Sequence, residues 1–251
     1  METQPSPEVV RAVASTVRAR PSDEGGMPLM EVRFSAFGEW YEIESLWEGN
    51  FMERTEYGAF AKTIEESRDN VKVLFNHGFD PSIGQKVLGS IKDLTEEEDS
   101  PLGVVRLFDT SYNRDLLPGL EEGAYGSSFR MRVIRDEWNK DPEPSDWNPR
   151  GIPERTVKEV RLFEFGPVTF PANPYSTAKV RSMTDAYIEG MRSRDPQWVD
   201  AQTRARDLRR TSPDRPSGDA ANTPPPAPAP SHPGGLTHAQ RRERLIQSER
   251  K

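Results

Sequence analysis

Apolar and polar residues alternate along much of the chain between residues 30 and 170, and this pattern predicts strands. The segment EVRFSAFGEWYEIES, residues 31–45, alternates well enough for one or two of them. Similar runs predict strands over residues 71–77, 102–108 and 125–135, and a strand pair over residues 155–170. Residues 57–70 instead place their apolar side chains on one helical stripe. The pattern therefore predicts a mainly β domain of the α+β class.

The two ends of the chain are expected to lie outside this domain. Prolines and glycines interrupt residues 1–29, which predicts a flexible leader and leaves residues 30–183 for the domain itself. A helix-start pattern at Ser182, followed by polar sequence, predicts a helical or polar extension over residues 184–210. Eight prolines between residues 211 and 235 predict a disordered linker, and the basic residues 236–251 fit a short helix.

The composition agrees with one folded domain that carries polar appendages. Hydrophobic residues make up 33 % of the 251 positions and charged residues 30 %, which is too polar for uniform packing. The absence of cysteine excludes disulfides and thiolate metal sites. No apolar run approaches the roughly 20 residues that cross a bilayer. We therefore expect a soluble protein that is neither secreted nor bound to a membrane.

The net charge of −7 is unevenly distributed along the chain. The residues before position 199 are strongly acidic, whereas those after it are net basic. Phosphate binding requires clustered positive charge, so the acidic domain argues against nucleic acid as the main ligand. The basic end is interpreted as a solvated tail; contact with nucleic acid or with an acidic partner is the alternative.

Histidine is scarce, and its positions restrict where a base that works at neutral pH can lie. Two of the three histidines, His232 and His238, fall in the predicted tail. His77 is therefore the candidate base within the domain. The competing interpretation is a packed or capping histidine at the end of an apolar strand.

The alternation in the predicted strand 125–135 selects one of two neighbouring serines as the candidate nucleophile. Ser127 shares a face with the apolar residues Phe129 and Met131, whereas Ser128 lies on the opposite face. A nucleophile must reach its substrate, so the pattern favours Ser128.

Two neighbours of Ser128 are candidates for oxyanion or substrate binding. Arg130 lies on the same face as Ser128, and a guanidinium at this place could stabilise an oxyanion. Gly126 permits the close approach of a peptide backbone. The alternatives are an ordinary solvated charge for the arginine and a turn residue for the glycine.

Glu164 is the candidate third member of the site. In the run VKEVRLFEFGPV it shares a face with Val160 and Leu162, so that a carboxylate points where apolar side chains point. A buried carboxylate is costly without a partner, and an imidazolium would be a suitable one. The alternative is a salt bridge to an arginine. Glu159, on the other face, is assigned to the surface.

Other chemistries have little support in the sequence. Metal ligands would have to be carboxylates, and the acidic cluster at residues 96–99 lacks a ligand spacing, so neither a metal nor another cofactor is expected. The chain has no glycine-rich phosphate-binding motif and no Gly-x-Ser-x-Gly elbow of the usual esterases.

Taken in order, four motifs resemble those of the prohead (capsid maturation) serine proteases of tailed phages, a family similar in fold to the herpesvirus assembly proteases. The resemblance covers about Met30 to Arg181. The motifs are GNFME (49–53) with GAF (58–60), FNH (75–77), GAYGSSF (123–129), and LFEFGPVTFPANP (162–174), whose PANP ending is the most recognisable piece.

The resemblance implies a closed β-barrel with peripheral helices and an active site formed by Ser128 and His77. It also implies an endopeptidase that processes the major capsid protein, scaffold segments and itself inside the assembling procapsid, in the host cytoplasm. The portal and further copies of the chain are additional candidate partners. Arg130 departs from the resemblance, because many relatives carry glycine there, and Gly166-Pro167 departs from a common serine and aliphatic residue.

The competing hypothesis is a scaffolding or structural protein of the prohead that has lost the chemistry. The intact Ser128 and His77 count against it, since a chain freed from catalysis has no chemical reason to keep them.

Overall fold

The computed structural model describes residues 6–13, 17–22, 25–171 and 180–210. The predicted linker and basic tail, with His232 and His238, and residues 172–174 of the PANP motif lie outside the described residues.

The described chain contains strands in two sheets and a smaller number of helices. The strands are β1 (Glu8–Val13), β2 (Arg18–Arg20), β3 (Leu29–Arg33), β4 (Tyr41–Ser45), β5 (Gly49–Thr55), β6 (Lys72–Val73), β7 (Gly89–Glu96), β8 (Pro101–Leu107), β9 (Gly126–Asn139), β10 (Glu154–Val168) and β11 (Val180–Ser182). The helices are α1 (Ala61–Ser67), α2 (Ser111–Glu121), α3 (Thr184–Arg194) and α4 (Pro196–Arg210), and short 3₁₀ turns cover Arg68–Asn70 and Asn76–Gly78. The mixed α and β class, with strands dominant, agrees with the sequence prediction.

The larger sheet is built around the two longest strands. Its order is β11-β1-β9-β10-β5-β4, and the short β6 also pairs with β10. Strand β10 pairs in parallel with β5 near its start and with β6 near its end, while β9 runs antiparallel along most of its length. The smaller sheet has the order β2-β3-β8-β7.

Four phenylalanines from different elements form the centre of the core. The ring of Phe34 lies 4.7 Å from that of Phe165, 5.5 Å from that of Phe60 and 5.6 Å from that of Phe129, measured between centroids. All four side chains are fully buried. Burial of each ring removes a large apolar surface from water, and this fixes the core faces of β9 and β10.

The closed barrel implied by the family resemblance is not found: within the described residues, neither sheet closes on itself through backbone pairing. The edge strands of the larger sheet, β11 and β4, are linked by side chains instead. Ser182 Oγ donates to Glu48 Oε1 over 2.8 Å, and Ser45 Oγ donates to Asp185 Oδ1 over 3.0 Å. These contacts connect the two edges without the continuous hydrogen-bonded ladder that a barrel requires.

Several elements differ from the sequence prediction. Glu8–Val13 and Arg18–Arg20, both assigned to a flexible leader, form β1 between β9 and β11 and β2 at the edge of the smaller sheet. Residues 155–170, assigned to a strand pair, lie mostly in the single 15-residue strand β10. Helix α2, which contains Pro118, was not predicted.

Strand β1 is held in place by the buried charge of Arg11. Because a charged residue interrupts its apolar run, the sequence did not predict β1 as a strand. Arg11 is fully buried, and its guanidinium binds Glu53 (Nε to Oε1, 2.7 Å) and Glu48 (Nη2 to Oε2, 2.7 Å). A buried charge is tolerated only when it is paired, and both partners come from another part of the chain.

Within the ranges that the structure describes, no helix combines the length and the apolar composition needed to cross a membrane.

Candidate active site

Strand β9 presents Ser127 and Ser128 to opposite sides, as the alternation predicted. Ser127 points inward, and its hydroxyl donates to the carbonyl oxygen of Arg33 over 2.5 Å. Ser128 points to the opposite face of the sheet. In the neighbouring strand β1, Ala12 is the register partner of Ser128. Ser128 is only 1 % exposed.

His77 lies in the 3₁₀ turn after β6, in an unusual backbone conformation. Asn76 and His77 have φ values of 46° and 56°, in the left-handed region that few residues other than glycine adopt. The side chain of Asn76 fixes this turn, because its Oδ1 accepts from the backbone N–H of Thr169 over 3.0 Å and its Nδ2 donates to Thr169 Oγ1 over 3.2 Å. A strained turn held from outside is typical of functional sites.

The imidazole of His77 connects Ser128 to Glu164. The Nε2 atom of His77 lies 2.7 Å from Ser128 Oγ, and Nδ1 lies 2.6 Å from Glu164 Oε1. The three residues come from the turn after β6, from β9 and from β10. The structure therefore brings together all three residues that the sequence singled out, in the order hydroxyl, imidazole, carboxylate.

A β-bulge in β10 turns Glu164 toward the other two residues. Leu162 is paired with Met131 on the core face of β9, but the register shifts before Glu164, which is paired with Arg130 on the face of Ser128. The strict alternation used for the prediction would have placed Glu164 with Leu162. The face assigned to Glu164 was wrong, since one irregular position reverses the faces that follow.

The carboxylate of Glu164 is deeply buried, with 1 % of the residue exposed. Its Oε1 accepts from His77, and the Nε atom of Arg130 lies 3.7 Å from the same oxygen. The other oxygen, Oε2, has no hydrogen-bond partner among the described residues. The carboxylate of Glu164 therefore lies between the imidazole of His77 and the guanidinium of Arg130.

The hydroxyl of Ser128 has a second acceptor besides His77. Its Oγ lies 2.8 Å from the backbone carbonyl oxygen of Arg11 on β1. One hydroxyl proton cannot be donated to both acceptors, so the protonation state of His77 decides between them.

Arg130 is bound by acidic residues rather than left in solvent. Its Nη1 donates to Glu8 Oε2 over 2.6 Å, and its guanidinium lies over the ring of Tyr187, 5.5 Å from the centroid. Desolvation lowers the pKa of Arg130, but Tyr187, Glu164 and Glu8 together raise it above its ordinary value. Arg130 is therefore a fixed positive charge beside the carboxylate of the site.

Gly126 lies at the start of β9, where two other segments come close. A Cβ atom at this position would lie 2.2 Å from Cγ of Pro171 and 3.1 Å from the carbonyl oxygen of Val13. Packing alone therefore accounts for a glycine here.

Tyr187 on α3 contacts the site and was not among the predicted residues. Its ring meets the imidazole of His77 edge to face, with 5.7 Å between the centroids. Desolvation raises the pKa of Tyr187 to about 12. The helical pattern of residues 184–194 could have shown a buried face, but not that this face covers His77.

The described residues contain no group of three or more histidine, cysteine, aspartate or glutamate side chains suited to a metal ion.

The chain matches a protein-family model and resembles a solved structure. The family model for the caudovirus prohead serine protease (Peptidase_S78) matches residues 16–189. The chain resembles the structure of the bacteriophage T4 capsid assembly protease, gp21, with 12 % sequence identity and a TM-score of 0.40, over 67 % of this chain and 100 % of that one. No curated protein sequence matches the chain.

The family match covers more than half of the chain, including the three residues that meet at His77 and all of the strands of the smaller sheet. The chain thus belongs to the caudovirus prohead serine proteases, the serine peptidases of phage capsid maturation.

Proposed function

We propose that Ser128 is the nucleophile of this peptidase, His77 its general base and Glu164 the residue that orients His77. The observation that carries the proposal is the unbroken chain of contacts from Ser128 Oγ to His77 Nε2 (2.7 Å) and from His77 Nδ1 to Glu164 Oε1 (2.6 Å). Both distances are within the range in which a proton passes between heavy atoms.

The reaction is acyl transfer through an ester of Ser128. His77 Nε2 takes the hydroxyl proton while Ser128 Oγ bonds to the carbonyl carbon of the scissile peptide. The resulting imidazolium gives that proton to the departing amine as the C–N bond breaks. Water then attacks the ester, again with its proton moving to His77, and Ser128 regains a proton when the acid product leaves.

Glu164 acts on His77 rather than on the substrate. By accepting from Nδ1, its carboxylate fixes the tautomer in which Nε2 carries the lone pair, and it stabilises the imidazolium that forms. Arg130, 3.7 Å from Glu164 Oε1, supports the negative charge of this carboxylate. A role for Arg130 and Gly126 in binding the oxyanion or the substrate remains a prediction from the sequence.

The family supports substrates from the prohead. We infer that the enzyme cuts the major capsid protein, scaffold segments and its own chain, inside the assembling procapsid in the host cytoplasm. The portal and a second copy of the chain are further proposed partners. A catalytically silent structural role is not favoured, because the hydroxyl, imidazole and carboxylate are in contact.

Ser128→Ala tests the proposal, with Ser127→Ala as the matched control. We expect wild-type protein incubated with its capsid protein to give discrete fragments by mass spectrometry, and Ser128→Ala to give none. Ser127→Ala should keep the same fragments, and should lose about 1 kcal/mol of stability with its hydrogen bond to Arg33. Identical fragments from wild type and Ser128→Ala would refute Ser128 as the nucleophile.

A further inference from the structure

A cleft of about 340 Å³ opens directly beside His77. It lies between the turn that carries His77, the end of β10 and the first turns of α3. Its walls are mostly apolar and include Phe79, Val168, Phe170, Met183 and Ala186. The volume falls at the lower end of the range for small-molecule and side-chain sites, about 300–1,000 Å³.

The polar groups at the rim of the cleft are occupied within the protein. Asp80 Oδ1 accepts from the backbone N–H groups of Ser82 and Ile83, each over 2.9 Å. Asn76 is bound at both ends to Thr169. These hydrogen bonds fix the polar side chains at the rim, and the walls of the cleft between them are mostly apolar.

The floor of the cleft is rigid. Phe79 is packed edge to face against Tyr187, with 5.3 Å between the ring centroids, and the guanidinium of Arg194 lies 4.4 Å from its centroid on another side. The Arg194 guanidinium is itself held, because it donates to the carbonyl oxygens of Gly78 (2.7 Å) and Phe79 (3.2 Å). A cleft with such walls exists before any ligand arrives.

One wall of the cleft leaves a large apolar side chain in water. Phe170 is 78 % exposed. A ligand that covers this side chain would remove apolar surface from water, which favours binding. The same cleft borders the imidazole that delivers a proton to the leaving amine. A ligand in the cleft therefore lies next to His77.

We propose that this cleft binds a large apolar side chain of the substrate, leucine-like or aromatic, at a fixed position near the scissile bond. The inference rests on the proposed function, because it takes the occupant to be the peptide that Ser128 attacks. It adds the chemical class of the substrate residue, which neither the family nor the site residues specify. Ala186 is the position at which a larger side chain should block the cleft, since this small exposed side chain on α3 lines the opening.

The first experiment measures cleavage of short peptides of randomised sequence by the full-length chain, with the cut sites read by mass spectrometry. We expect leucine, phenylalanine and similar residues to be enriched at one fixed position relative to the cut. Ala186→Phe should fill the cleft and reduce that enrichment at least several-fold. Ala201→Phe, the same change at an exposed alanine of α4, should leave it unchanged.

A second measurement does not depend on turnover. In Ser128→Ala protein with ¹³C-labelled methionine methyl groups, the Met183 signal should shift in a saturable way with N-acetyl-phenylalanine amide. It should not shift with N-acetyl-lysine amide or N-acetyl-aspartate amide. Ala186→Phe should abolish the shift. Absence of a shift with the phenylalanine amide, or an equal shift with the lysine amide, would overturn the proposal.

The failure of this inference can be told apart from failure of the proposed function by labelling Ser128 with a small fluorophosphonate, which carries no peptide side chain. Labelling of Ser128 together with cleavage that lacks any apolar preference would overturn the cleft assignment and leave the catalytic proposal standing. Cleavage that persists in Ser128→Ala would overturn the catalytic proposal itself.

Discussion

At the scale of the residue, the acceptor to which Ser128 donates its hydroxyl proton distinguishes two states of the candidate site. When His77 is neutral and donates from Nδ1 to Glu164, its Nε2 lone pair can accept this proton over 2.7 Å. When His77 is protonated, Nε2 becomes a donor and the hydroxyl can turn to the carbonyl oxygen of Arg11, 2.8 Å away. In the proposed mechanism, only the neutral form of His77 can therefore activate Ser128, and the carbonyl oxygen of Arg11 can accept from the hydroxyl in the other form.

Glu164→Gln should lower kcat/KM by about 10³- to 10⁴-fold, because an amide can offer Nδ1 a donor and so favour the wrong tautomer. The fold should be kept, since the amide has the shape of the carboxylate. The measurement is steady-state cleavage of a peptide that spans a mapped cut site, with circular dichroism to check folding.

Glu159→Gln is the matched control, on the same strand. Glu159 pairs with Lys62 over 3.2 Å at the surface and should be dispensable for the reaction. A folded Glu164→Gln variant with wild-type kcat/KM would exclude Glu164 from the catalytic group.

The residues of the site could be chosen from the sequence because each is unusual where it stands: His77 is the only histidine between residues 30 and 183, and Glu164 is a carboxylate in an apolar run. Their geometry could not be derived in the same way. The bulge before Glu164 is a tertiary feature of the β9–β10 pairing, and the position of Tyr187 depends on how α3 docks.

At the scale of the element, helix α3 belongs to the site although the sequence assigned it to an extension. Its residue Tyr187 lies between the imidazole of His77 and the ring of Trp198, at 5.7 Å and 5.6 Å between centroids. The ring of Tyr187 therefore contacts the imidazole from an element outside the segment that carries His77.

Tyr187→Ala should slow the labelling of Ser128 by a small fluorophosphonate by about 10-fold, which corresponds to about 1.4 kcal/mol in the barrier. The reason is that the imidazole loses its edge-to-face contact and samples other orientations. Tyr187→Phe keeps the ring and should label at nearly the wild-type rate.

Thermal unfolding separates this effect from a loss of structure. If Tyr187→Ala labels as fast as wild type, the ring of Tyr187 does not position His77. If Tyr187→Phe is as slow as Tyr187→Ala, the hydroxyl rather than the ring is the important group.

Strand β1 shows why a strand of this kind cannot be predicted from its own sequence. Its six residues stand close to the prolines at positions 5 and 7, and an arginine interrupts their apolar run. The strand is stable because Arg11 finds Glu48 and Glu53 across the sheet. These ion pairs form only in the folded chain, so no local sequence pattern predicts them.

At the scale of the whole molecule, a buried ion cluster joins the N-terminal strand to the centre of the larger sheet. Glu53 on β5 is fully buried and binds both Arg11 on β1 and Arg155 on β10, with N–O distances of 2.7 Å and 3.2 Å. Burial alone would raise the pKa of Glu53, but Arg11 and Arg155 lower it from 4.5 to about 2. The cluster therefore makes the fold sensitive to acid.

The sign of this dependence follows from the lowered pKa. The stability that ionised Glu53 contributes is fully present above pH 4.5 and is lost as the pH falls from 4.5 toward about 2. The free energy of unfolding, measured by urea titration at several pH values, should fall steeply in this interval for the wild type. It should fall less steeply for Glu53→Gln, which is also less stable at neutral pH because two arginines lose a counter-charge.

Glu44→Gln, at an exposed position of the neighbouring strand β4, is the control and should follow the wild-type curve. Equal slopes for wild type and Glu53→Gln would show that other carboxylates dominate acid unfolding.

The barrel expectation also belongs to this scale. Strand content can be inferred from alternation, but closure depends on whether the edges of a twisted sheet come into backbone register. Here Glu48 and Asp185 accept side-chain hydrogen bonds between the two edges, and within the described residues no backbone ladder closes the sheet.

The pairing of β1 with β9 has a consequence for the order in which the protein acquires activity during synthesis. Residues 8–13 leave the ribosome well before their partner strand, which begins at residue 126, and the carboxylate at position 164 comes later still. At about 5–20 residues per second, several seconds separate the first strand from its neighbours, and such distant pairings form slowly. The proposed catalytic site therefore cannot assemble until residues up to at least 164 have left the ribosome.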